Sequence, residues 1–326
     1  MSIAFTVVVP LHDKGPHVER ALRSALGQTL APAEIIVVDD ASRDDGPARV
    51  EAIGDPRIRL LRRDQPGPGG YAARNLAIEE AKTDWVAFLD ADDEWRPEHL
   101  AGLSDAIEAE EARKPGVVCA FEGYTIVDPG DRVISDRYSL RRGEVGCRVD
   151  YTGLLQLWLD LRACPIWTSA TAARRDALIA AGLFPAGRCR RGGDKDLWLR
   201  LAAVGDVVRA PRIGATYWRD SVNMVTSAVA THQRHCMCDT IRTLVRAGDP
   251  STARLLRQLY NQETFLYGKF ASRSRPVDPA SFEGFYVGDD PLGYVTLRVL
   301  STTIGWKLAQ AVWQLGRKRT APREAA

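Results

Sequence analysis

Asp84-Trp85-Val86-Ala87-Phe88-Leu89-Asp90-Ala91-Asp92-Asp93-Glu94-Trp95 is the stretch on which the reading of this chain turns. A short apolar run, residues 86–89, ends abruptly in three carboxylates, Asp90, Asp92 and Asp93. That is the pattern of a strand delivering acids to the edge of a sheet. Carboxylates packed so tightly repel one another and lose hydration, so the cluster is costly unless water, a cation or basic side chains meet it. A divalent cation with oxygen ligands is one solution. A solvated turn leading the next helix is another, since acids favour first turns and Pro97 suits one. Spacing alone leaves both open.

Toward the N-terminus, residues 3–9 form a continuous apolar, β-branched run closed by Pro10, which predicts a central strand buried on both faces. Val18, Ala21, Leu22, Ala25 and Leu26 then follow helical spacing. A second strand over 35–38 ends in Asp39 and Asp40, and a third is expected over 58–61. Gln65-Pro66-Gly67-Pro68-Gly69-Gly70 opens a helix with Ala73, Leu76, Ala77 and Ala81 on one face. Such a loop can offer backbone amides to a phosphate, or it can be a plain connection. Arg74 lies in that helix's first turns, where the helix dipole disfavours a cation, so a nearby anion or acid is expected. The β-α-β-α-β-α-β order predicts an α/β fold with a doubly wound, mostly parallel sheet. Ligands bind such sheets at the carboxyl ends of the strands, so the acids at 39/40 and 90/92 should face one crevice.

Toward the C-terminus a helix over 98–111, a strand over 117–121 and a hairpin turning at Asp128-Pro129-Gly130-Asp131 are expected. A helix over 151–161, a strand over 166–172 and a helix over 174–181 follow. In Gly192-Gly193-Asp194-Lys195-Asp196 two glycines free the backbone and a helix starts with carboxylates. Asp194 can be an N-terminal cap, a role that lowers its pKa, or a partly desolvated general base in the crevice. A strand over 214–218 leads to Arg219, Asp220, Ser221, Val222, Asn223 and Thr226, placed to line the same crevice.

Beyond residue 228 the character changes to helices, over 229–247, 251–272 and 293–316. The last carries Leu297, Leu300, Ile304, Leu308, Ala311 and Leu315 on one stripe, with Trp306 and Trp313 beside it and Arg298, Lys307, Arg317, Lys318 and Arg319 nearby. This fits a peripheral contact with an anionic membrane surface, and equally packing against the domain or against a second copy as a homodimer.

The 326 residues can hold one large α/β domain or two smaller ones, and 45% hydrophobic content is ordinary for a globular protein. A net charge of +2 gives no support for nucleic acid as a partner. No apolar run approaches the ~20 residues needed to cross a bilayer and no signal pattern opens the chain, so a cytoplasmic location, at most peripheral to the inner face of the membrane, is expected. Six cysteines without a CxxC pair point to reduced thiols. His232, His235, Cys236 and Cys238 are four potential metal ligands within seven residues, but nothing nearby completes a zinc spacing.

Taken as an ordered series, these motifs over residues 3–226 resemble the inverting, metal-dependent family 2 glycosyltransferases of the GT-A fold. Val7-Val8-Val9-Pro10-Leu11-His12-Asp13 is similar to that family's first strand and donor-binding turn, and Ile36-Val37-Val38-Asp39-Asp40 to its second strand. The resemblance implies that Asp40 bonds the nucleotide base. It places Pro10, Leu11, His12, Gly69 and Arg74 at the donor, the last through Ala73-Arg74-Asn75. Leu89-Asp90-Ala91-Asp92-Asp93 looks like the DxD motif, which implies Asp92 as direct ligand of Mn2+ or Mg2+, Asp90 and Ala91 beside the donor, and Asp93 as ordinary helix-leading charge. Gly193-Asp194 falls where the family has Glu-Asp, which makes Asp194 the catalytic base, with Gly193 and Trp198 on the acceptor side. Two departures stand out. Gly193 replaces the usual acid, and Asp220 stands where a metal-side histidine is frequent, although an aspartate there could still ligate a hard cation.

The resemblance implies residues 1–227 as the GT-A domain, with a nucleotide-sugar-binding half over 1–121 and an acceptor-side half over 122–227. Residues 228–326 are then a helical extension. The implied reaction moves a sugar from a nucleoside diphosphate donor, UDP-linked in most of the family, to a hydroxyl of a glycan, lipid-linked or small-molecule acceptor. A sugar-phosphate nucleotidyltransferase would carry a Gly-rich, Arg-containing loop where this chain has Pro10-Leu11-His12-Asp13-Lys14, and a dinucleotide oxidoreductase would carry G-x-G-x-x-G there. A non-catalytic, donor-binding relative is the third alternative, kept by Gly193 and Asp220.

Overall fold

The computed structural model describes residues 3–130, 132–189, 191–222 and 236–320, the last eight of these by their backbone alone. The chain divides into two compact units, Met1–Ala228 and Val229–Ala326.

In the first unit, strands β1 (Phe5–Leu11), β2 (Glu34–Asp40), β3 (Ile58–Arg63), β4 (Trp85–Phe88), β5 (Glu94–Trp95), β6 (Val117–Asp128), β7 (Arg132–Ser135), β8 (Cys147–Val149), β9 (Thr171–Arg174) and β10 (Asp206–Trp218) form one sheet. Its order is β3-β2-β1-β4-β9-β6-β10-β5, with β7 on β6 and β8 on β10. The first four strands are mutually parallel, as the alternation of strands and helices predicts. Past β4 the sheet is mixed. β9 runs antiparallel between β4 and β6, and β10 is parallel to β6 but antiparallel to β5 and β8. The expectation of a mostly parallel sheet therefore describes the N-terminal half. Residues Thr171–Ala173 of β9 are small and fully buried, a composition that specifies a core strand but not its direction.

Alternate residues of β1 point to opposite faces, each covered by a helix. Val7 and Val9 join Val18, Ala21, Leu22 and Ala25 of the helix Gly15–Leu26 in one core cluster. Val8 joins Ile36, Val38 and Ala73, Ala77 and Ile78 of the helix Tyr71–Glu80 in the other. Burial on both faces is why these strands read as unbroken apolar runs. Pro10 does not close β1, which continues to Leu11. Just past β1 and β2, Asp13 (φ 49°) and Ala41 (φ 58°) adopt left-handed backbone that turns the chain at the sheet's carboxyl edge. The predicted hairpin is β6–β7, with Asp128 opposite Arg132.

The second unit contains helices Met237–Ala247, Pro250–Ala271, Pro291–Leu300 and Thr303–Thr320. The single helix expected over 293–316 is two, because hydroxyls at the junction compete for backbone groups. Ser301 Oγ donates to Arg298 O at 2.7 Å, Thr302 Oγ1 donates to Val299 O at 2.8 Å, and Gly305 N donates to Thr302 Oγ1 at 3.1 Å. The break divides the apolar stripe. Leu297 packs with Val277, Phe282 and Phe285, while Ile304, Leu308 and Val312 are exposed. No described helix is long and apolar enough to cross a membrane.

Asn223, Thr226, His232 and His235 lie outside the described residues, as do the side chains of Trp313, Leu315, Arg317, Lys318 and Arg319. Cys119 is a buried thiol and Cys147 a half-buried one.

Candidate active site

The two acid pairs end β2 and follow β4, the strands that flank β1 on either side. Ligand atoms of Asp90, Asp92 and Asp93 lie within 4.8 Å of one another, held by the turn in which Asp93 N donates to Asp90 O. Each acid has its own partner. Asp92 Oδ2 accepts from Lys14 Nζ at 2.7 Å and from Ser221 Oγ at 2.6 Å. Lys14 also donates to Ser221 Oγ at 2.7 Å and to Val222 O at 2.5 Å, so one ammonium ties the turn after β1, the acid cluster and the segment after β10 together. Burial alone would raise the Asp92 carboxyl, but Lys14 and Ser221 hold it below the ordinary carboxylate range.

Asp90 is paired with the guanidinium of Arg74, the anion partner that the position of Arg74 in the sequence demanded. Arg74 also donates to Gly69 O at 2.9 Å and lies 5.5 Å from the Phe184 ring. It is 7% exposed. Burial would lower its pKa; the charges of Asp90, Tyr71 and Asp194 outweigh that and raise it.

Asp93 is not helix-leading surface charge. It is 2% exposed and accepts from Ser169 Oγ at 2.5 Å, and its Oδ1 has no hydrogen-bond partner. Burial first, then Asp92 and Asp90, push its pKa well up, which favours the neutral acid. The strand-end position had suggested solvent; the 3-10 helix Thr168–Ala170 brings Ser169 to it instead, with Trp95 Nε1 donating to Ser169 O at 2.5 Å.

Asp40 is buried, paired with Arg63 and accepting from Gly67 N at 2.9 Å. His12 Nδ1 lies 2.8 Å from Asp40 O with its side chain 45% exposed, Leu11 and Ala91 are buried, and Pro10 and Gly69 are half-buried. Gly69 and Gly70 adopt positive φ, 72° and 66°, which only the missing Cβ makes inexpensive. Asp220 is exposed and stands outside the three-acid cluster.

Asp194 lies half-buried in the first turn of the helix Gly193–Ala202, whose cap is Gly192 with φ 76° and no side-chain bond. Capping is therefore not its role, and its charge reaches Arg74. Trp198, expected on the acceptor side, is fully buried against Phe88 and Phe184 and faces the core. At helical spacing it falls on the buried stripe with Leu197 and Leu201. Lys14, Arg63, Ser169 and Tyr71 escaped the sequence reading, since each contributes through a contact distant in the chain.

The donor set fits a hard divalent cation: clustered carboxylate oxygens, one of them a buried oxygen without a partner. No other group of three His, Cys, Asp or Glu side chains suited to a metal occurs among the described residues.

Residues 6–157 match the family described as glycosyl transferase family 2. This chain carries a family 2 glycosyltransferase domain. Its relatives include the succinoglycan biosynthesis protein ExoO of Rhizobium meliloti, 44% identical over 105 residues that make up 32% of this chain and 30% of that protein. Another is the Escherichia coli UDP-Glc:alpha-D-GlcNAc-diphosphoundecaprenol beta-1,3-glucosyltransferase WfgD, 34% identical over 90 residues, 28% of this chain and 35% of the relative. The match thus spans about a third of either relative's length. Among solved structures, S. aureus TarS 1-349 in complex with UDP-GlcNAc aligns over 96% of this chain and 92% of its own, with a TM-score of 0.66 at 15% identity. The glycosyltransferase domain has the GT-A fold.

Proposed function

We propose that the glycosyltransferase domain moves a sugar from a nucleoside diphosphate sugar to an acceptor hydroxyl, with inversion at the anomeric carbon. The observation that carries this reading is the convergence of Asp40, Asp90, Asp92 and Arg74 at the carboxyl ends of β2 and β4, with Asp194 near enough for its charge to act on Arg74. Asp40 and the loop around Gly69 face the nucleotide, with Pro10, Leu11 and His12 forming the turn beside it. Asp92, assisted by Asp90, is the principal ligand for Mn2+ or Mg2+, and Asp220 is a candidate for an outer contact. The bound cation supplies Lewis acidity toward the departing diphosphate. Asp194 takes the acceptor hydroxyl's proton, a role worth about 10²–10⁴-fold. Gly193 withholds the acceptor contact that the family's usual acid would make at this position. Uracil is the expected base, in keeping with the UDP-Glc named for WfgD and the UDP-GlcNAc held by TarS.

A thermal-shift panel of UDP, dTDP and GDP, each with and without Mn2+, tests the reading. The expected result is Mn2+-dependent stabilisation by UDP; no shift with any nucleotide would count against it. Manganese-dependent release of UDP from a matching donor separates turnover from donor binding alone. In the second unit, Ile304 and Leu308 of the stripe read from the sequence are exposed, as are Leu292, Val295, Val299 and Val312, and these are the side chains proposed to meet an anionic membrane or a second copy. Vesicle flotation and sedimentation distinguish the two.

A further inference from the structure

Tyr71 opens the helix that carries Arg74, and it is 5% exposed. Its ring occupies the space beside two glycines far apart in the chain. A Cβ at Gly69 would stand 2.6 Å from Cε2 of Tyr71. A Cβ at Gly193 would stand 2.8 Å from both Cε2 and Cζ, and 2.8 Å from Pro185 Cγ. Neither approach is sterically permitted, so positions 69 and 193 must be glycine while Tyr71 keeps this place.

The hydroxyl of Tyr71 accepts a hydrogen bond from Gly193 N at 2.8 Å. That N–H belongs to the first turn of the helix Gly193–Ala202, where backbone donors have no partner within the helix, and Gly192 offers no side chain to cap them. Tyr71 supplies the missing cap from another element. Its ring stacks on Phe184 at 5.9 Å and 11°, and Asn75 binds the Phe184 backbone through both N and O at 2.9 Å. One helix thus holds Asp90 through Arg74, Phe184 through Asn75, and the start of the Asp194 helix through Tyr71.

We propose that Tyr71 is a positioning residue for the transfer reaction, fixing Asp194 relative to the donor-side acids by capping its helix and excluding any side chain at position 193. The proposal rests on Asp194 as general base. Small displacements of a reacting group cost large factors in rate, so the effect should appear in turnover rather than in donor affinity.

The test uses the full chain, with UDP release measured from whichever of UDP-glucose, UDP-galactose and UDP-GlcNAc is turned over fastest, and with UDP and Mn2+ binding measured by calorimetry. Tyr71→Phe keeps the ring and removes the acceptor. It should lower kcat about 10–100-fold with donor KM and UDP affinity within about twofold of the parent. Amide hydrogen exchange at residues 193–195 should speed up in this variant, a readout independent of turnover. Gly193→Glu should be inactive, and adding Tyr71→Ala should restore part of its activity by vacating the space. Full kcat in Tyr71→Phe, or a loss of UDP affinity parallel to the loss of kcat, would overturn the proposal. Asp194→Asn is measured alongside. Full turnover there removes the general-base reading and this proposal with it, whereas low turnover there with full turnover in Tyr71→Phe removes the role of Tyr71 alone.

Discussion

Lys14 Nζ lies 2.7 Å from Asp92 Oδ2, a tethered cation on the acid that is the proposed metal ligand. The same ammonium binds Ser221 Oγ and Val222 O, so it also anchors the segment after β10 over the acid cluster. Any divalent ion using Asp92 must share or displace this lysine. Lys14→Met should therefore tighten Mn2+ binding in the absence of nucleotide by about tenfold, ~1.4 kcal/mol. Titration calorimetry reads this directly, and unchanged or weaker Mn2+ binding would show that lysine and metal do not compete.

Asp194→Asn should lower the turnover number by about 10²–10⁴-fold, because the amide cannot accept the acceptor's proton. UDP and Mn2+ affinities should stay within about twofold, since Asp194 makes neither set of contacts. Asp92→Asn should instead lose Mn2+ binding and turnover together. A base variant that turns over at the parental rate would assign Asp194 to structure.

Glu34 at the start of β2 gives the fold a pH dependence. Burial would raise its pKa, but bonds from Lys82 N at 2.8 Å, Thr6 Oγ1 at 2.9 Å and Arg59 at 3.1 Å outweigh burial and lower it. A depressed carboxyl contributes stability that is present above its unfolded pKa and is lost as pH falls through the folded one. Urea denaturation should show the parent losing about 1–2 kcal/mol more than Glu34→Gln as pH falls from about 6 to below 4. Parallel pH curves for the two proteins would contradict this.

Gly214 on β10 has no room for a side chain, because a Cβ there would overlap Glu122 Oε2 and His99 Nδ1. These two are fully buried and bonded to each other at 2.8 Å. Gly214→Ala should cost about 1–3 kcal/mol of stability, read from a urea midpoint. Gly54→Ala, where a Cβ meets nothing within 4 Å but φ is 67°, should cost less, since only the backbone preference opposes it.

The N-terminal half of the fold was legible because β1 and β2 are buried on both faces and their flanking helices carry clean apolar stripes; a local period of two or 3.6 residues suffices there. The mixed half was not legible in the same way. β9 has small residues whose burial does not fix direction, and the break at Ser301 and Thr302 depends on hydroxyl bonds that periodicity does not register.

The sequence by itself determined that acids end the second and fourth strands and that Asp194 opens a helix after two glycines, because strand ends, glycine turns and first-turn acids are properties of a few adjacent residues. Only the tertiary structure decided which cation meets which acid, that Asp93 is buried on Ser169, and that Trp198 faces the core. It also decided why residue 193 is glycine: the ring that fills its space belongs to Tyr71, 122 positions earlier in the chain. Such pairings depend on how distant segments converge at one sheet edge, and no local pattern encodes that.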